Sequence, residues 1–328
     1  MTNGSELDVQ VLGAGVVGLT TAITLAEAGW RVSVRTASPP GATTSVAAGA
    51  VWGPVTVGPP GRCRDWARTG LAVLRELADD PSAGIVTRTG REISRTPASP
   101  PAWSDLVDDL QICREGELPP GFVAGWRYSA PVVSMPVYLD YLTARLERAG
   151  VKIDVNPITS LSEVTAGADG AFPAPVIVNC TGAAARQLVP DPAVHPIRGQ
   201  VVVIANPGIE EFHIDHSTPP PDVIYLFPHR DTVVLGGTMV HDDWDTEPRP
   251  AVAERILADC AVVEPRVLDA PVVAHRVGLR PARPEVRLEA EPLDDGRVLW
   301  HNYGHGGAGV SISWGCAREI AEGLAGRG

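Results

Sequence analysis

The chain has 328 residues, 44% of them hydrophobic, which is enough apolar content for two domains with a core in each. Twenty-seven basic residues against 39 acidic ones leave a net charge of −12, so nucleic acid and anionic membrane surfaces are repelled and neither is expected as a partner. Five scattered cysteines without a C-x-x-C pair argue against a disulfide framework or a zinc site; a reducing cytoplasm and no metal are the expectation.

The opening M-T-N-G-S-E-L-D lacks the basic and apolar regions of a signal peptide, and residues to about Leu7 are expected to be loose. Leu12 to Gly18 then read L-G-A-G-V-V-G, after the apolar Val9, Val11 and Leu12. In this spacing Gly13 allows a tight strand-to-helix turn, Gly15 lets the backbone approach a pyrophosphate, and Gly18 lets the helix pack against the strand. The helix amino end then points its amides and positive dipole at phosphate oxygens. The context matches: a helix from Val16 to Ala28, a stop at Gly29, and a second strand from Arg31 to Arg35. That strand usually ends in a carboxylate for the adenosine ribose, whereas Arg35-Thr36 stands here, which admits a 2′-phosphate as an alternative.

Small side chains and turn residues follow from Ser38 to Trp52, able to lie close to a ligand without filling its site. Arg62 to Asp79 reads as a helix with Trp66, Leu71, Leu74 and Leu77 on one face. Pro81 to Pro131 is rich in Pro and Gly and is assigned short strands and loops. Ser134 is placed as the N-cap of a helix from Pro136 to Ala149, with Gly150 as its stop and V-K-I-D-V as the next strand. The run V-I-V-N-C-T-G, Val176 to Gly182, reads as a buried parallel strand ending at a ligand. Alternating runs between Gly199 and Gly237 read as antiparallel strands of a second domain, followed by a helix from Ala251 to Val262. Pro281 and Pro284 force Arg276 to Arg287 into an extended path. Last come V-L-W-H-N-Y, a second glycine-rich turn around His305, and a helix bearing Ile312, Cys316, Ile320 and Leu324 at spacings of four.

Two Gly-rich turns, one at each end of the chain, suit a large cofactor lying across a sheet, and a flavin fits better than nicotinamide alone. Of the four arginines at 276, 280, 283 and 287, Arg280 follows an apolar strand end and precedes a proline that fixes the chain. Its planar fork would be presented rigidly to a carboxylate. Tyr225 lies in the apolar strand V-I-Y-L-F-P, where a core tyrosine bonded to backbone is the plainer reading. His213 and His216, in H-I-D-H, have a spacing that could bind metal, but a solvated loop is expected.

The motifs V-L-G-A-G-V-V-G-L, T-T-S-V-A-A-G, V-I-V-N-C-T-G, V-G-L-R-P-A-R-P-E-V-R-L-E and H-N-Y-G-H-G-G-A-G-V-S-I-S-W-G occur in this order. With them the chain resembles D-amino acid oxidase, a flavoenzyme of the FAD-dependent amine oxidase group. The resemblance implies an α/β fold: a Rossmann-like FAD-binding domain from residues 1–57, 136–188 and 286–328, interleaved with an antiparallel-sheet substrate domain from 58–135 and 189–285. It implies FAD along Gly13, Ala14, Gly15, Val16, Val17, Arg35 and Thr36, then Thr43, Thr44, Ser45, Gly49 and Ala50. Ile158 and Thr181 would lie near the adenosine, and Gly306, Gly307, Gly309, Val310 and Ser311, with Arg280, near the isoalloxazine. Arg280 and Tyr225 would bind the substrate carboxylate, and the Gly307 carbonyl the amine. Met239 stands after Gly236-Gly237-Thr238 where D-aspartate-oxidising relatives place an arginine, which favours neutral, apolar D-amino acids. The lid region from His213 to Asp222 carries no tyrosine, and the terminal A-G-R-G lacks the peroxisomal tripeptide of eukaryotic relatives.

The implied reaction takes a D-amino acid and O2 to a 2-oxo acid, ammonia and hydrogen peroxide, by hydride transfer from Cα to flavin N5. Positioning alone carries it, with no catalytic side-chain base. Alternatives are a glycine or sarcosine oxidase of the same fold, a D-aspartate oxidase, an NADP-dependent dehydrogenase and a non-catalytic flavin-binding protein. A homodimer is compatible with the chain.

Overall fold

The computed structural model describes residues 8–54, 57–165 and 174–326, so the looseness expected of residues 1–7 falls outside the described residues. Its centre is a parallel sheet. Strand β1 (Val9–Leu12) lies between β2 (Val32–Thr36) and β7 (Val176–Asn179), and all three run parallel. Val9, Val11 and Leu12 are wholly buried because both faces of the strand are covered, which is why the sequence there is a continuous apolar run. Helix α1 (Val16–Glu27) follows. Its buried Thr20 and Thr21 and half-buried Thr24 hydroxyls each donate to a carbonyl one turn back, so these hydroxyls are satisfied within the helix. The helix closes with Gly29 at φ +94°, its N–H donating to the Ala26 carbonyl and that of Trp30 to Leu25, a Schellman stop.

Helix α2 (Pro60–Leu77) leads into β3 (Ile85–Ser94), β4 (Gln111–Ile112) and β5 (Ala124–Val133). This corrects the assignment of short strands and loops to 81–131: β3 and β5 are ten residues each and pair antiparallel along their whole length. Prolines and glycines sit at the ends and in the connection, and Gly90 in mid-strand leaves room for the Phe212 ring, whose Cγ would stand 2.2 Å from an added Cβ. Helix α3 (Met135–Arg148) follows; Ser134 is at its N-cap position but its side chain makes no capping bond. The helix ends in a second Schellman stop at Gly150, whose N–H donates to Glu147 while that of Val151 donates to Leu146.

Strand β6 (Ile153–Val155) joins the parallel edge beside β2, and α4 (Leu161–Thr165) and α5 (Ala185–Leu188) flank β7. The second half of the chain begins with β8 (His195–Ala205), β9 (Phe212–Asp215), β10 (Asp222–Pro228), β11 (Thr232–Thr238) and β12 (Val240–His241). These pair antiparallel as expected, and β9 is also parallel to β3. The H-I-D-H stretch is therefore strand and its end rather than a solvated loop. Burial pushes His213 down to about 4, His216 bonds Glu92, and no group able to hold a metal occurs among the described residues.

After α6 (Pro250–Val263) comes β13 (Val272–Pro292), then β14 (Val298–His305) and α7 (Gly309–Ala325). Strand β13 has 21 residues: from Val272 to Ala282 it pairs with β8, and from Ala282 to Pro292 with β14. One strand thus joins the parallel and antiparallel halves into a single 14-stranded sheet running β4-β5-β3-β9-β10-β11-β8-β13-β14-β7-β1-β2-β6, with β12 beside β8. Helix α7 buries Ile312, Cys316, Ile320 and Leu324, as their spacing predicts, and crosses α2 backbone to backbone. A Cβ on Gly315 would lie 2.2 Å from the Trp66 Cα, and one on Gly70 would lie 2.0 Å from the Ser311 carbonyl oxygen.

Because rigid backbone sits opposite, Gly315→Ala is expected to force α2 and α7 apart and cost about 1–3 kcal/mol or more. A drop of several degrees in the thermal midpoint, followed by circular dichroism, is the expected result; an unchanged midpoint would contradict this crossing.

Candidate active site

The first glycine turn is built as a cradle. Gly13 adopts φ +102°, and a Cβ there would stand 2.5 Å from the Cys180 carbonyl oxygen; a Cβ on Gly18 would stand 1.9 Å from the Gly13 carbonyl oxygen. Only glycine fits at either position, so strand, turn and helix approach as closely as the spacing predicts. The first turn of α1 carries no acidic residue. Its Val16 N–H donates 3.0 Å to Ser45 Oγ, and a Cβ on Gly15 would lie 3.1 Å from that oxygen and 3.8 Å from Thr43 Oγ1. The 43–45 segment therefore lies over the amino end of the helix, where helix N–H groups and the positive dipole end favour an anion such as phosphate.

The same loop continues across the sheet. Gly278 of β13 packs under it, with an added Cβ 3.0 Å from Ala47 Cβ and 3.3 Å from the Thr44 carbonyl oxygen. Gly49 meets the rings of Phe227 and Tyr225, at 2.6 and 3.1 Å from an added Cβ. Ala50 is held at φ +59°, a left-handed backbone that costs a non-glycine residue on the order of 1–3 kcal/mol, and its carbonyl is fixed by the Val133 N–H at 2.8 Å. The second glycine turn closes the cradle from the other side. A Cβ on Gly309 would stand 3.8 Å from Val17 Cγ2 and 3.9 Å from Val16 Cγ1, so the two turns meet. The Gly306 N–H donates to the Pro281 carbonyl at 2.8 Å, setting the exposed Gly307 next to the segment that carries Arg280.

Arg280 and Tyr225 come together on the face below that loop. Arg280 Nη1 donates to the Thr238 carbonyl at 2.9 Å, and Arg280 has no ion pair with any described residue. Its neighbours are committed elsewhere: Arg283 to Asp191, and Arg287 to Glu289, Glu291 and the Tyr303 hydroxyl. Burial raises the Tyr225 phenol above its usual value, and the adjacent Arg280 guanidinium opposes that rise. Tyr225 also stacks on Phe227, with ring centroids 4.4 Å apart. The residues that make room for this pair were not singled out in the sequence. A Cβ on Gly199 would lie 2.3 Å from Arg280 Nη1, and one on Gly236 would lie 1.8 Å from Tyr225 Cζ. Glycine is depleted in strand interiors, so both were visible as anomalies, although their partners were not.

The remaining expected residues are placed less centrally. Arg35 turns its guanidinium onto the carbonyls of Asn156 and Pro157, at 3.0 and 3.1 Å, and lies 3.8 Å from Glu163. The Thr36 hydroxyl donates to the Ser38 carbonyl, and the Thr181 hydroxyl to Asn179 Oδ1. Ile158 packs with Leu12, Val164, Ile177, Leu188 and Leu299. Ser311 spends its hydroxyl on the Gly53 backbone, donating to the carbonyl and accepting from the N–H, while Val310 is buried at the start of α7. Met239 is half-buried, its N–H donating to the Pro221 carbonyl at 2.6 Å. His305 is buried beside the second turn, and burial lowers it to about 4. All five thiols are free, and burial raises each of them, Cys63 to about 11 and Cys180 to about 12.

A dinucleotide cradle over an antiparallel face that offers a guanidinium without a counterion defines a flavoprotein oxidoreductase. The family model described as FAD dependent oxidoreductase (DAO) matches residues 8–323, and the chain belongs to that family. It is 48% identical over 312 residues to a D-amino-acid oxidase of Rubrobacter xylanophilus, covering 95% of this chain and 94% of that one. It is 42% identical over 319 residues to a D-amino-acid oxidase of Streptomyces coelicolor, covering 96% and 95% of the two chains. Among solved structures, a glycine oxidase from Geobacillus kaustophilus superposes with a TM-score of 0.81 at 21% identity, over 98% of this chain and 95% of that one, which establishes the shared fold.

The closeness of Gly199 to the guanidinium makes Gly199→Ala a test of Arg280 placement. The variant is expected to retain bound FAD and lose about tenfold or more in kcat/KM, a displacement effect read by steady-state kinetics beside the visible spectrum. Unchanged kcat/KM would mean that Arg280 does not act from this position.

Proposed function

We propose that the protein oxidises D-amino acids to 2-oxo acids, with release of ammonia and hydrogen peroxide, using FAD. The observation that carries this reading is Arg280, a half-buried guanidinium without a carboxylate partner among the described residues, set beside Tyr225 and one residue before the Pro281 carbonyl that receives the second glycine turn. The cradle fits FAD: an added Cβ would crowd Gly13 and Gly18, and Ser45 accepts from the Val16 N–H at the amino end of α1. Gly13 to Val17, Arg35, Thr36, Thr43 to Ser45, Gly49, Ala50, Ile158, Thr181 and Gly306 to Ser311 are assigned to holding it. In domain terms, 1–57, 136–188 and 286–328 would bind the cofactor, and 58–135 and 189–285 the substrate.

When bound, FAD supplies the two-electron acceptor for the substrate Cα–H bond and the route by which O2 becomes peroxide. The chain's own part is orientation. Arg280 takes the substrate carboxylate in a two-point contact, Tyr225 donates a further hydrogen bond, and the Gly307 carbonyl accepts from the amine. Three fixed points define which hydrogen on Cα faces the cofactor, which is how a site without a catalytic base selects one enantiomer. Holding the reacting groups in place can lower a barrier by roughly 7–11 kcal/mol, enough that no acid–base pair is required. Phe227 and Met239 border the substrate with apolar surface, which favours neutral side chains. No helix among the described residues is long and apolar enough to cross a membrane. The free cysteines accord with a cytoplasmic protein, and a homodimer is our expectation for its assembly.

Arg280→Leu is expected to lower kcat/KM for D-alanine by about a hundredfold or more, roughly 3 kcal/mol, while the protein stays yellow. Tyr225→Phe should cost about 0.5–1.5 kcal/mol, one neutral hydrogen bond. Steady-state peroxide release measures both, and unaltered kinetics in the leucine variant would refute the assignment. Wild-type holoenzyme should bleach anaerobically with D-alanine, and should prefer D-alanine to glycine, sarcosine and D-aspartate. Faster peroxide release with glycine or sarcosine would instead favour the alternative amine oxidase reading.

A further inference from the structure

The face that carries Tyr225 extends well past it. Tyr225, Phe227 and His229 alternate onto one side of β10, whose pairing continues through the His229 N–H to the Thr232 carbonyl. Tyr225 stands opposite Ile214, which stands opposite Glu92, so Glu92, Gly90 and Arg88 of β3 share that side. On the other flank Tyr225 pairs with Gly236, Gly236 with Val201 and Val201 with Arg276, which puts Arg276 there too. By this pairing Arg88 stands level with His229 at the end of the face remote from Arg280, while Arg276 starts level with Tyr225 and its charge acts on His229 across the face.

No described residue neutralises the two guanidiniums by an ion pair. Neither Arg88 nor Arg276 forms an ion pair with a described residue, and Arg276 donates only to the Val46 carbonyl, at 3.3 Å. The Arg88 Nε is buried without a hydrogen-bond partner. His229 is 4% exposed, and its Nδ1 is likewise buried and unpartnered. The acid on this side, Glu92, is already held by the Tyr128 hydroxyl at 2.6 Å and by His216 Nε2 at 2.5 Å. Burial first, and then the charges of Arg276 and Arg88, push His229 down to about 4. In a protein of net charge −12, a buried grouping of this kind without a carboxylate leaves desolvated donors unmatched, a state that an anion would relieve.

We propose that Arg88, His229 and Arg276 form a second anion-binding site, taking a small oxyanion such as phosphate or a carboxylate. Two guanidinium forks and one imidazole N–H are the donor set for such a group. From Tyr225 to His229 is four residues of strand, about 13 Å, longer than an acidic amino acid anchored at Arg280 can span. The ligand is accordingly a separate anion bound beside the substrate rather than the substrate's own second carboxylate.

The test titrates FAD-loaded enzyme with inorganic phosphate by calorimetry, at ionic strength held constant with chloride, in wild type, Arg88→Gln and His229→Asn. Wild type is expected to bind phosphate, and each variant to bind it about tenfold more weakly, with the D-alanine kcat and KM unchanged. Absence of phosphate binding in wild type, or equal binding in both variants, would overturn the site. D-Glutamate kinetics separate the two sources of the anion: a KM unaltered in Arg88→Gln supports a free anion. A KM raised tenfold there, with D-alanine unaffected, would overturn the separate-anion assignment in favour of the substrate's side-chain carboxylate. Because D-alanine turnover is followed in every sample, failure of the site and failure of the oxidase reading are distinguishable.

Discussion

The constraint on which this molecule depends is that a single strand joins the antiparallel and parallel halves of one sheet. β13 exchanges its partner at Ala282, which pairs with His195 of β8 on one side and His305 of β14 on the other. Proline lacks the N–H that a continuous ladder would need, so Pro281 and Pro284 fall where the pairing changes hands, a place tolerant of missing donors. Arg280 immediately precedes that handover. Its backbone is clamped by β8, and the next carbonyl, that of Pro281, receives the Gly306 N–H of the second glycine turn. The backbone of Arg280 is therefore tied to the second turn by main-chain hydrogen bonds.

Around that point, large side chains are matched to absent ones. The Arg280 fork occupies the space a Cβ of Gly199 would take, and the Tyr225 ring the space above Gly236. Such complementarity restricts the rotamers of both side chains, which rise from extensively paired strands of one sheet.

What could be read in advance divides by range. The first turn, α1 and its Gly29 stop depend on residues within one helical span, so spacing revealed them; the same holds for α3 with Gly150 and for the face of α7. The preference for Arg280 over its three neighbours also rests on the local sequence, while the ion pair of Arg283 with Asp191 is made across the fold. β3 and β5 escaped because their burial comes from each other and from β9, more than a hundred residues beyond β3. The strand character of His213 to Asp215 likewise arises only when β10 and β3 flank it. The roles of Gly199 and Gly236, and the gathering of Arg88, His229 and Arg276, exist only across strands and leave no local periodicity.

The five thiols have a consequence for a catalyst whose product is an oxidant. Peroxide attacks the thiolate form, and oxidation then climbs to sulfinic and sulfonic acids that are not recovered. Burial raises every cysteine in the chain, including the half-exposed Cys113, so at neutral pH the reactive anion is scarce at each of them. Cys180 lies directly under the first glycine turn and Cys316 within α7, positions where an added oxygen would wedge the fold apart. By keeping its sulfur protonated and enclosed, the protein is armoured against the poison it manufactures.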